Sequence, residues 1–101
     1  MANTYLTTLT AVATTGSDVT VFTSRADIIV RDVQIYAKGG AATVSVKYDD
    51  GTTDDVIAKK SLTADETWRP FAAPLATPDT HELKVNTSVA VNVLITYVEF
   101  S

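Results

Sequence analysis

The stretch from Val89 to Phe100, V-A-V-N-V-L-I-T-Y-V-E-F, is the most apolar run in the chain and sets the terms for the rest. In an extended strand successive side chains point to opposite faces. Val89, Val91, Val93, Ile95 and Tyr97 therefore share one side, and Ala90, Leu94, Val98 and Phe100 share the other, interrupted by Asn92 and Thr96. Both faces are expected to be at least partly buried. A buried helix is the competing reading of such a run, but the density of Val, Ile, Thr, Tyr and Phe favours a strand.

Other segments repeat the pattern at fairly regular spacing. Val19–Thr23 reads as a short strand after the turn signal Gly16-Ser17-Asp18. Ile28 to Ala37 reads as a strong strand with Ile29, Val33 and Ile35 on one face and Asp32 and Gln34 on the other, ended by Lys38-Gly39-Gly40. Ala42 to Tyr48 alternates cleanly, with Val44, Val46 and Tyr48 on one side. Asp49-Asp50-Gly51 is expected to close a tight hairpin, and Thr52 to Ser61 to return with Val56 and Ala58 in the core.

Thr63 and Glu66 have the spacing of a helix capping box, but Pro70 would stop a helix almost at once, so a turn is expected. Trp68 to Phe71 reads as a short strand; Pro74 and Pro78 exclude a regular interior strand between them. Glu82 to Asn86 alternates around Leu83 and Val85, and Asn86-Thr87-Ser88 reads as the turn into the closing strand. With no convincing amphipathic helix, the expected fold is all-β, an antiparallel β-sandwich of jelly-roll-like form.

The 101 residues suffice for one domain with a single core. We expect residues 1–15 to form an N-terminal arm or edge strand and residues 16–101 the sandwich. Within the Thr-rich first segment Tyr5, Leu6, Leu9 and Val12 are apolar enough to seek burial, either against a neighbouring molecule or within the protein's own sheet.

Cysteine is absent, which rules out disulfides and thiolate metal sites. The formal net charge of −4, with no cluster of Lys or Arg, argues against nucleic acid as a partner. No apolar run is long enough to span a bilayer as a helix, and Met1 to Thr15 lacks the basic and unbroken apolar regions of a secretory signal, so synthesis in a cytoplasm and no membrane partner are expected.

Chemistry-bearing constellations are sparse. His81 is the sole histidine, and no nucleophile elbow accompanies it, so a catalytic triad is not expected and the chain reads as a non-enzyme. Asp49, Asp50, Asp54 and Asp55 gather carboxylates around one hairpin without the D-x-D-x-D-G calcium-loop pattern; they read as solvated turn residues, with neither metal nor cofactor expected. The N-x-S sequence Asn86-Thr87-Ser88 is assigned no function. Trp68, Arg69 and Phe71 are of the types enriched at interface hot spots. The alternative is that the two aromatics plug one end of the sandwich.

From Ile28 onward the chain resembles small virion-associated structural proteins of tailed bacteriophages. The resembling segments are I-I-V-R-D-V-Q-I-Y (Ile28 to Tyr36), A-A-T-V-S-V (Ala41 to Val46), L-T-A-D-E-T (Leu62 to Thr67), A-P-L (Ala73 to Leu75) and V-N-V-L-I-T-Y-V-E-F (Val91 to Phe100). Each is weak alone, and their order carries the resemblance. It implies a non-enzymatic component of a virus particle: a capsid decoration (cement) protein, or a tail or fibre component. Its partners would then be other virion proteins, the major capsid or tail protein, with assembly into a homo-oligomer expected and the virion as location. The acidic hairpin, the Trp68-Arg69-Pro70 sequence and the Thr-rich start depart from that pattern and leave the place on the particle open. A carbohydrate-binding module recognising a host surface, stacking sugars on Trp68 and the tyrosines, is the alternative.

Overall fold

The computed structural model describes residues 3–100, so Met1 and Ala2 of the expected arm and Ser101 of the sandwich segment lie outside the described residues. Nine strands follow one another among them: β1 (Asn3–Val12), β2 (Val19–Thr23), β3 (Ile28–Tyr36), β4 (Ala42–Asp49), β5 (Asp54–Leu62), β6 (Thr67–Trp68), β7 (Leu75–Thr77), β8 (Glu82–Thr87) and β9 (Val91–Phe100). One sheet runs β1-β9-β3, with β6 and β7 both on the far side of β3; the other runs β2-β8-β4-β5. All pairings are antiparallel.

The pairings nest: β1 with β9, β2 with β8, β3 with β7 and β6, β4 with β5. This is the connectivity of a long hairpin rolled into a two-sheet sandwich, the jelly roll. β6 and β7 together fill one strand position, broken by the segment that carries Pro70 and Pro74. Proline cannot donate to a ladder, so the interruption falls on an edge, where unpaired backbone can meet water.

The core lies between the sheets. Val91, Val93 and Ile95 of β9 meet Val12, Val30, Val33 and Ile35 from their own sheet and Val44, Val46, Leu83 and Val85 from the other in one buried cluster. Each such side chain contributes about 1.5–3 kcal/mol by leaving water. β9 is the central strand between β1 and β3: its inner residues are buried against the opposite sheet, and on its outer face Val98 is buried and Leu94 half-covered beside residues of the flanking strands.

Three bulges revise the facing of residues expected from simple alternation. The register shifts between Val30 and Asp32, so Ile28 and Val30 point inward before Arg31, and Val33 and Ile35 after it. Ile29 therefore faces outward, not with Val33 and Ile35. A second shift in β2 places Val21 and Phe22 both in the core. A third, in the β4–β5 pairing, leaves adjacent Val56 and Ile57 exposed, so Val56 is no core residue, while Ala58 packs partly against the core.

The first segment is the edge strand of its own sheet: β1 pairs with β9 from Asn3↔Phe100 to Val12↔Val91 without a register shift. From Thr4 onward its even-numbered residues face inward and its odd-numbered ones outward. Two turns follow the expected chemistry. In the four-residue β4–β5 connection the Asp50 carboxylate accepts from the amides of Thr52 and Thr53, and Gly51 adopts φ 89°. Thr63 and Glu66 close a capping-box turn with no helix behind it, the Thr63 amide donating to Glu66 Oε1 at 2.9 Å. Asn86 and Thr87 end β8 instead of forming a turn.

Candidate functional site

Because β1, β9 and β3 alternate, their outward residues line up in rows across the sheet. Tyr5 stands opposite Val98, which stands opposite Ile29; Thr7, Thr96 and Asp32 form the next row, and Leu9, Leu94 and Gln34 the next. The bulge at Arg31 makes the first of these rows apolar, by turning Ile29 outward. Tyr5 and Leu9 are 68% and 66% exposed, and Phe100, at the end of the same face, is 38% exposed.

Around the first row Tyr5, Ile29, Arg31, Pro74, Val98 and Phe100 line an open hollow of about 300 Å³. A second hollow, of about 380 Å³, continues past Ile29 and Phe100 to Ala76 and Pro78. This shallow surface mixes the aromatic Tyr5 and Phe100 and aliphatic groups with the Arg31 guanidinium and the Asp27 carboxylate. Exposed apolar side chains gathered on one face mark an interaction surface, whereas single scattered ones would not.

The interface residues expected from sequence divide accordingly. Tyr5 and Leu9 lie on this face. Leu6 points inward, half-buried, opposite Tyr97. Val12 is 1% exposed and belongs to the core, so its place in an interface is corrected: the even parity of β1 directs it inward. Trp68 and Phe71 are half-buried and packed against the core, as the plugging alternative has it. Trp68 pairs with Ile35 at the far edge of the sheet from β1. Arg69 is exposed, its Nε 3.3 Å from Asp32 Oδ2. Ile29, Arg31, Pro74, Val98 and Phe100 were not among the expected interface residues. Phe100 and Val98 share a face by simple alternation, but nothing local announces the bulge that brings Ile29 beside them.

Elsewhere the polar groups serve the fold. Asp49 and Asp54 both accept from Lys84 Nζ, at 3.1 and 2.9 Å, and Lys47 Nζ donates to Asp18 at 2.7 Å. Lys84 is raised well above its ordinary value, first by Asp54 and then by Asp49. Asp50 is held below the ordinary carboxylate value by the Thr53 and Thr52 amides, and Asp49 by the Gly51 amide and Lys84. The hairpin carboxylates thus have turn amides and lysines as partners, and no group of three or more His, Cys, Asp or Glu among the described residues is arranged to hold a metal ion. His81 Nδ1 shares a hydrogen bond with the Tyr48 hydroxyl, the rings edge-to-face, while its carbonyl accepts from the Ser24 amide. This ties the start of β8 to the β2–β3 connection.

A third hollow, of about 320 Å³, opens between the edges β1 and β2, over the edge-to-face pair Phe22–Tyr97, with Arg25, Glu99 and threonines at its rim. No family model matches the chain, and searches of curated proteins and of solved structures gave no significant match.

Proposed function

We propose that the chain is a non-enzymatic structural protein of a bacteriophage virion, a capsid decoration protein that attaches to a symmetric lattice of capsid subunits through the outer face of the β1-β9-β3 sheet. The observation that carries this reading is the concentration of Tyr5, Leu9, Ile29 and Phe100 on one sheet face. The resemblance of the chain's ordered segments to virion-associated structural proteins suggests the biological setting. A cysteine-free sandwich holds such a face without redox support, and many shallow contacts on a symmetric lattice gain strength by avidity.

The test is binding to capsid shells that lack the protein. Wild-type protein should co-sediment with them, and the double variant Arg31→Glu, Phe100→Ser should not, while melting at the same temperature as the parent. Both side chains are exposed, so the fold tolerates the change. Retention of wild-type protein on tails and not on shells would support the alternative of a tail or fibre component and overturn decoration.

A further inference from the structure

The four edges of the sandwich are not treated alike. β5 carries Asp54, Asp55, Lys59 and Lys60 and is bulged; β2 has five residues and is bulged; β6 and β7 are two and three residues long and separated by prolines. Charges, bulges, prolines and shortness are the devices by which proteins keep sheet edges from pairing with other chains. β1 has none of them. It is ten residues long, its register is unbroken, and N-T-Y-L-T-T-L-T-A-V contains no Asp, Glu, Lys, Arg, Pro or Gly. Among the described residues it pairs on one side only, with β9. Its outer side therefore presents a long row of backbone donors and acceptors with nothing to deter a further strand.

We infer that β1 pairs antiparallel with β1 of a second copy of this chain, about a two-fold axis at Thr7. The sequence of the strand selects this partner and this register. With Thr7 opposite its own equivalent, Tyr5 faces the second copy's Leu9 and Leu9 faces its Tyr5. The two most exposed large hydrophobic side chains then become cross-strand neighbours, an aromatic–aliphatic pairing of the kind that stabilises antiparallel ladders. On the inner side Leu6 meets Thr8, and Thr4 and Thr10 meet at the ends.

Electrostatics agrees. Two copies with a net charge of −4 each repel, and β1 is the long edge at which their approach sets no acidic side chains of the strand face to face. A two-fold axis perpendicular to the sheet also keeps the outer faces of both copies on the same side. Two hollows around Tyr5 would then be presented together. The pairing does not depend on what those hollows bind.

The absence of cysteine makes the register directly testable. In the inferred dimer, residues at position 7 have Cβ atoms about 4.5–5.5 Å apart, close enough for a disulfide or a short thiol cross-linker. Residues at position 4 lie six positions apart along the ladder, about 20 Å. Thr7→Cys should therefore cross-link rapidly on mild oxidation, and Thr4→Cys should not. A charge exchange provides the second arm: Tyr5→Lys with Leu9→Lys sets like charges opposite each other and should yield a folded monomer. Tyr5→Lys with Leu9→Glu sets opposite charges there and should remain a dimer in sedimentation, with circular dichroism unchanged in both. Equal cross-linking at positions 4 and 7, or a parent chain that sediments as a monomer up to submillimolar concentration, would overturn the inference.

Discussion

Leu9 and Leu94 face each other across the β1–β9 ladder on the outer side of the sheet, while the next pair, Thr10 and Val93, points inward. Adjacent residues of the closing strand thus meet different surroundings. Val93 is fully buried against the opposite sheet, and Leu94 lies half-covered between Leu9 and Gln34. Val93→Asp should unfold the domain, because a carboxylate there has no partner and the cost exceeds about 4 kcal/mol. From the apolar run alone Leu94→Asp is expected to do the same. The structure changes that expectation to a loss of about 1–2 kcal/mol with the fold retained, since the outer face admits water. Urea titration of the two variants measures the difference.

That contrast shows how far the sequence could be read. Most strand positions and the turns at residues 49–51 and 63–66 were legible because alternation and the Gly, Asp and Pro punctuation act locally. The strand expected over residues 68–71, by contrast, is only Thr67–Trp68, and Leu75–Thr77 adds an edge strand between the prolines. Facing was not legible where a bulge adds a residue to one strand: Ile29 and Val56 look like core by parity and are turned out, Ile29 by a bulge against the distant β9 and Val56 by a bulge within its own hairpin with β4. The first segment looked irregular for a related reason. β1 sets Tyr5 and Leu9 outward and Thr8 and Thr10 inward, so its apolar residues fall on both faces and its true alternation is disguised. The outer patch draws on three strands and the β6–β7 segment, and no single stretch of sequence contains it.

Removal of the first fifteen residues should destabilise the whole domain. Such a truncation strips a ten-residue ladder from β9 and takes Val12 out of the core. A chain starting at Gly16 should be unfolded or aggregated, as seen by circular dichroism and sedimentation. A stable, folded monomer would show that β1 is dispensable to its own sheet.

Gly39→Ala should destabilise by about 1–3 kcal/mol through overpacking. A Cβ at position 39 would stand 2.8 Å from Val89 Cγ1 and 3.1 Å from the Ala90 carbonyl oxygen, so the β3–β4 connection would have to move away from the entry to β9. It would also strain the bond from the Gly39 amide to that carbonyl. Thermal unfolding reads the effect, and alanine at Gly16, which meets no neighbour but has φ +73°, separates crowding from backbone strain.

Stability should be level through neutral pH and fall in acid. Asp18, Asp49 and Asp50 are lowered from 3.8 and Glu66 from 4.5, so the unfolded chain binds more protons than the folded one as the pH drops. Their contribution is complete above those ordinary values and is lost as the pH falls through the lower folded ones. Lys84 is raised, so its contribution is complete below 10.5 and is lost only as the pH rises beyond that. Asp50→Asn should flatten the acid limb of a melting-temperature profile. Added calcium should leave the parent's melting temperature unchanged, because the hairpin carboxylates already accept from Lys84 and the turn amides.

The measurement closest to the central claim is a pair of low-resolution reconstructions of the virus particle, with and without this protein. Decoration through the outer sheet face requires density lost from the head at lattice-related positions, with the β1-β9-β3 sheet turned towards the capsid surface. Density lost from the tail, or a sandwich docked with that sheet facing solvent, would contradict it.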